Sequence, residues 1–113
     1  MTKNKVVLVS FPFDDLSSSK VRTAVCLTDP IGPYRHVVLA FITSHISESP
    51  LETDILLTSA DPTFQVTGLH VSSMLQLHRL LTVTTSIIQR RLGELPAEFQ
   101  GEVESKLKRL FRL

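Results

Sequence analysis

The sequence predicts a small, mainly β domain with some α: a curved antiparallel sheet or small barrel followed by one C-terminal helix. Three observations lead there. Short runs rich in β-branched and apolar residues recur between residues 6 and 92, with turn-forming residues between them and no long helical pattern. The last stretch, "LPAEFQGEVESKLKRLFRL", switches to helical spacing. The chain has 113 residues, 42% hydrophobic and 20% charged, which suits one globular domain with a core of its own.

The run over 6–11 is a first strand, stopped by Pro12, and the polar stretch 14–20 is a loop. A second strand covers 22–27. Asp29-Pro30 and Gly32-Pro33 then mark a turn. The third strand, His36–Thr43, is almost wholly apolar, which implies burial on both faces. Residues 44–53 read as loop, 54–58 as a fourth strand and 64–66 as a short fifth. Three further apolar stretches, 73–77, 81–84 and 87–92, read as strands or as strand with a helical turn. In the terminal helix Pro96 falls in the first turn, where its missing N–H costs nothing. Phe99, Val103, Leu107 and Leu110 form its apolar stripe. Glu98, Glu102 and Glu104 come early and Lys106, Lys108, Arg109 and Arg112 late, as the helix dipole favours. The four basic residues serve either that dipole or an RNA contact.

Composition narrows the function classes. The net charge of +1 gives no global attraction to nucleic acid, so any anion site must be a local cluster. Only four glycines are present, and none forms a phosphate-binding loop. His36, His45, His70 and His78 are scattered without zinc-site spacing, and Asp14-Asp15 reads as an exposed turn, so no metal or other cofactor is expected. The single cysteine, Cys26, lies in an apolar run and reads as a buried thiol. The apolar run after Lys3 and Lys5 ends at Pro12 and Asp14, and no stretch reaches the length of a membrane span. A cytoplasmic location without membrane contact is the expectation. What remains is polar residues at strand ends: Arg22 directly after a loop, and Thr43 and Ser44 at the end of a buried strand. An arginine beside hydroxyls there is either a phosphate clamp or a surface salt-bridge partner.

A resemblance sharpens this picture. "VVLVSFPFDDLSSSKVRTAVCLT" resembles the N-terminal signature of the MazF/PemK family of toxin-antitoxin toxins: a strand, Phe-Pro-Phe with Asp, a Ser/Gly loop, then Lys-x-Arg-Pro-Ala. "VVLAFITSHI" is similar to the family's third strand, "TGLHVSSMLQLHRLLTV" to its Gly-Leu-x-x-x-Ser segment, and "RRLGELPAEFQGEVESKLKRLF" to its turn into the last helix. The ordered set covers almost the whole chain as a single domain, 1–113. The resemblance implies an SH3-like antiparallel β-barrel of the MazF/PemK/CcdB type with a C-terminal helix, forming a homodimer. It implies a sequence-specific, metal-independent endoribonuclease that cuts single-stranded mRNA by 2′-hydroxyl attack and is silenced by a cognate acidic antitoxin. Arg22 and Thr43 fall at the family's catalytic arginine and threonine. Lys20, Ser44, His45, Gln76 and His78 are the candidates for RNA contact, with His45 and His78 the groups that could carry a proton. Thr23 stands where the family usually has proline, and Gln76 and His78 where some members carry Arg-x-Asp. The alternative is a non-catalytic barrel that binds RNA or a protein target such as gyrase.

Overall fold

The computed structural model describes residues 1–12 and 19–113, the side chains of 11–12 and 19–20 excepted. The predicted loop residues Asp14, Asp15, Ser17 and Ser18, and the side chains of Ser19 and Lys20, lie outside the described residues. Six strands and a helix follow in order: β1 (Lys5–Pro12), β2 (Ser19–Cys26), β3 (His36–Thr43), β4 (Asp54–Leu57), β5 (Ser73–Thr84), β6 (Ile88–Glu94) and α1 (Ala97–Phe111). The strands form one antiparallel sheet in the order β4-β5-β3-β2-β1-β6. Among the described residues β4 and β6 are the outer strands, so the expected barrel is a bent, unclosed sheet.

The pairing of β5 with β3 is interrupted by a register slip. Phe41 pairs with Gln76, but the next residue back along β3, Ala40, pairs with Leu80. The residues skipped between them form a wide bulge, which bends a strand and increases its twist. The sequence splits this strand in two because exposed His78 and Arg79 interrupt its apolar alternation; the structure joins both parts along β3. The first part of β5 also carries β4, with Ile55 against Leu75 and Leu57 against Ser73. A second difference concerns 64–66, which is not a strand. Phe64–Thr67 is a 3-10 turn, because the Thr67 hydroxyl donates to the Phe64 carbonyl at 2.7 Å and accepts from the Leu69 N–H at 3.1 Å. A threonine that serves the backbone locally competes with a ladder.

The strong alternation of the central strands gives each face of the sheet its own core. On one face Val6, Val25, Ala40, Ile42, Leu75 and Leu77 are packed with Ile55, Leu57, Phe64 and Leu95. The helix covers this face with Val103, flanked by Phe99 and Leu107, as its stripe predicts. On the other face Val7, Val9, Ala24, Cys26, Val37, Leu39 and Phe41 form a second cluster, edged by Leu81, Val83, Ile87 and Ile88. β3 supplies both cores, as its apolar sequence implies. Cys26 is fully buried, and that burial pushes its thiol up to about 11, against a smaller opposing effect of a hydrogen bond with Thr2. No helix among the described residues is long and apolar enough to cross a membrane.

Candidate functional site

The site grows out of the pairing of β2 with β3. The register runs Cys26 to Leu39, Val25 to Ala40, Ala24 to Phe41 and Thr23 to Ile42. The last pair of the ladder is Thr23 with Ile42, and Arg22 and Thr43 are the next residues beyond it on the two strands. Thr23 ties this end of the ladder, donating its hydroxyl to the Ile42 carbonyl at 3.4 Å. The place of the family's proline is thus taken by a residue that links β2 to β3 just beside Thr43.

Thr43 is itself oriented by its neighbour. Its Oγ1 accepts the backbone N–H of His45 at 3.1 Å, which leaves the hydroxyl proton to be donated elsewhere. His45 therefore acts on Thr43 through its main chain, and its exposed imidazole is not among the groups lining the cleft.

Arg22 and Thr43 line one cleft of about 880 Å³. Val21, Arg22 and Thr23 come from β2; Phe41, Ile42, Thr43 and Ser44 from the end of β3; Ser73 and Arg79 from β5; Leu8 from β1; and Arg90 and Leu92 from β6. Gly68, Leu69, His70 and Val71 complete the wall. That loop can lie so close to β6 because two glycines meet there. A Cβ on Gly68 would overlap the Leu92 carbonyl, and one on Gly93 would overlap the backbone of Val66 and Thr67. Gly68 also holds φ +73°, which a side chain disfavours.

The charge of the cleft has one sign. Arg22, Arg79 and Arg90 line it together with His70, and no described lining residue is acidic. Among the described residues several carboxylates are engaged elsewhere: Glu94 with Lys5 and Arg91, Glu102 with Lys106, Glu104 with Lys108, and Glu52 with Arg109. The late basic residues of α1 thus face carboxylates or lie at the helix end, and none lines the cleft. Among the described residues, no three of His, Cys, Asp or Glu gather where they could hold a metal ion.

Of the predicted contact residues, Ser44 joins Arg22 and Thr43 in the cleft, and Lys20 is placed only by its backbone pairing with Phe11. Gln76 and His78 are not among the lining groups. Gln76 lies opposite Phe41 and accepts a hydrogen bond from Arg79 at 3.4 Å. His78 sits 3.8 Å from the buried carboxylate of Asp54. Sequence reasoning missed Arg79, Arg90 and His70. Each stands alone in a strand or loop, and only the bulge of β5, the pairing of β6 and the glycine contact bring them to the cleft.

Fold and site together define a small β-sheet protein with one packed helix and an arginine-lined cleft where its central strands end. A family model described as PemK-like, MazF-like toxin of type II toxin-antitoxin system matches residues 2–111. The chain belongs to that family. Solved structures with the same fold include the Mycobacterium tuberculosis toxin MazF-mt6, at 19% identity and a TM-score of 0.71, over 96% of this chain and 97% of that one. An endoribonuclease in complex with its cognate antitoxin from a mycobacterial species aligns at 12% identity and a TM-score of 0.71, over 100% and 96%. The MazE-MazF structure from Deinococcus radiodurans aligns at 19% identity and a TM-score of 0.70, over 100% and 97%. No curated protein matches the chain.

Proposed function

We propose that this toxin is a metal-independent endoribonuclease that cuts single-stranded RNA at preferred sequences in the cleft of Arg22 and Thr43. The observation that carries the reading is that Arg22 and Thr43, the residues just beyond the last pair of the β2–β3 ladder, line one cleft together with Arg79 and Arg90 and with no acidic residue among the described lining. The 2′-hydroxyl of the nucleotide attacks the adjacent phosphorus, the bond to the 5′-oxygen breaks, and the products carry a 2′,3′-cyclic phosphate and a 5′-hydroxyl. The protein's task is to stabilise the extra negative charge on the phosphorane. Arg22 offers paired donors and a fixed charge, and Thr43 offers the hydroxyl proton that His45 leaves available. Ser44, next along, is placed to hold a neighbouring polar group of the RNA.

The same cleft accounts for silencing. An acidic, flexible segment of an antitoxin would compete with RNA for the three arginines, and its affinity would fall with salt. A homodimer and a cytoplasmic location complete the proposal, and family membership supports both.

The test is cleavage of a long single-stranded RNA in excess EDTA. Discrete cuts ending in cyclic phosphate are expected from the wild type. Arg22→Ala and Thr43→Ala should each lower the rate about a hundred- to a thousand-fold, as loss of one preorganised donor does. A folded wild type that leaves the RNA intact would overturn the catalytic reading and favour a binding module.

A further inference from the structure

We infer that Arg79 is a second phosphate-binding cation of the cleft, holding the phosphate next to the one at Arg22 and Thr43 and so setting the path of the RNA. The inference rests on the ribonuclease reading and extends it to a residue that the sequence did not single out.

Phe41 and Thr43 are two residues apart on β3 and therefore project to the same side, about 7 Å apart along the strand. The guanidinium of Arg79 stands over the Phe41 ring, 5.5 Å from its centroid. Arg22, Thr43, Phe41 and Arg79 thus line one cleft, with Phe41 and Thr43 spaced along β3 by about the step between neighbouring phosphates of an extended strand. A guanidinium lying on an aromatic face keeps its N–H groups pointing outward from its rim, where a phosphate can take two at once. Gln76, opposite Phe41, accepts one of those N–H groups in a long contact of 3.4 Å. Among the described residues that is the hydrogen bond Arg79 makes, and it has no carboxylate partner, whereas Arg91 faces Glu94 and Arg109 faces Glu52. Arg79 lies among the residues that the slip from Gln76 to Leu80 leaves outside the β3 pairing, beside Phe41. Gln76 then supports the arginine that meets RNA and does not itself need to reach the cleft.

The probe is a randomised single-stranded 2′-O-methyl oligoribonucleotide, which binds but lacks the attacking hydroxyl. Its affinity is followed over a salt series for the wild type, Arg22→Gln, Arg79→Gln, Arg79→Lys and Arg109→Gln. Each phosphate contact contributes about 0.7 to the slope of log affinity against log salt for a single strand. Arg79→Gln should lower that slope by about 0.7 and Arg79→Lys should retain it, while Arg109→Gln, outside the cleft, leaves it unchanged. In cleavage, Arg79→Gln should raise KM several-fold with kcat nearly unchanged, whereas Arg22→Gln should lower kcat. A wild-type slope and KM in Arg79→Gln, with Arg22→Gln impaired, overturns the inference and leaves the ribonuclease reading standing. A loss of kcat matching that of Arg22→Gln also overturns it, because Arg79 would then act at the scissile phosphate. A wild type that neither binds nor cuts removes the ribonuclease reading and this inference together.

Discussion

At the scale of single residues, the glycines separate position from composition. Gly68 needs its positive φ and the space that a side chain would take from the Leu92 carbonyl. Gly68→Ala should therefore cost about 2–4 kcal/mol in urea unfolding, combining left-handed strain with overpacking. Gly101 is the reverse case: it lies within α1, exposed, with open space where a Cβ would go. Gly101→Ala should stabilise by about 0.5–1 kcal/mol in the same assay. Both glycines are visible in the sequence, but the contact that distinguishes Gly68 lies across the fold on β6. Cys26 gives a third test. With its thiol raised to about 11 from 9.0, native protein at mildly alkaline pH should resist alkylation that the unfolded chain undergoes readily. The unfolded thiol ionises first, so the contribution of Cys26 to stability is complete below 9.0 and is lost as pH rises towards about 11.

At the scale of elements, legibility follows how local the cause is. The terminal helix was readable because its stripe, its starting proline and its charge order are all carried by neighbouring residues. β3 was readable because an unbroken apolar run has few other outcomes. β5 was read as separate pieces, since the bulge that exposes His78 and Arg79 while keeping Leu77 buried is set by its pairing with β3. Leu77, fully buried at the bulge, anchors that bend to the core beneath the helix. Leu77→Ala should cost about 2–5 kcal/mol in chemical unfolding. Arg22 and Thr43 are singled out by motif likeness, and both line the cleft because each lies just beyond the last β2–β3 pair. Their partners Arg79 and Arg90 carry no comparable mark, because a lone strand arginine looks the same at a cleft or in solvent.

At the scale of the whole molecule, a net charge of +1 conceals a division of labour. Among the described residues, carboxylates tie outlying segments together, while Arg22, Arg79 and Arg90 line the cleft. Asp29 accepts the backbone N–H groups of Lys3 and Thr2, at 3.0 and 2.9 Å, and these hold its carboxyl below the usual range. Asp61 is held low by the backbone and hydroxyl of Thr63. Both favour folding at neutral pH, and their contribution is lost as pH falls through their lowered values. Asp29→Asn should therefore flatten the acid limb of a stability profile followed by urea midpoints. The unclosed sheet has a consequence of a different kind. Among the described residues its outer strands are where a strand from another copy would add, the route by which edge-to-edge aggregates grow, and the turn at 66–68 already lies against β6. β4 offers only four residues, and β6 is broken by two register shifts and carries Arg90 and Arg91. A template that is short on one side and irregular and charged on the other terminates growth at the first added strand. The cations of β6 thus also help to stop further copies from adding along that edge of the sheet.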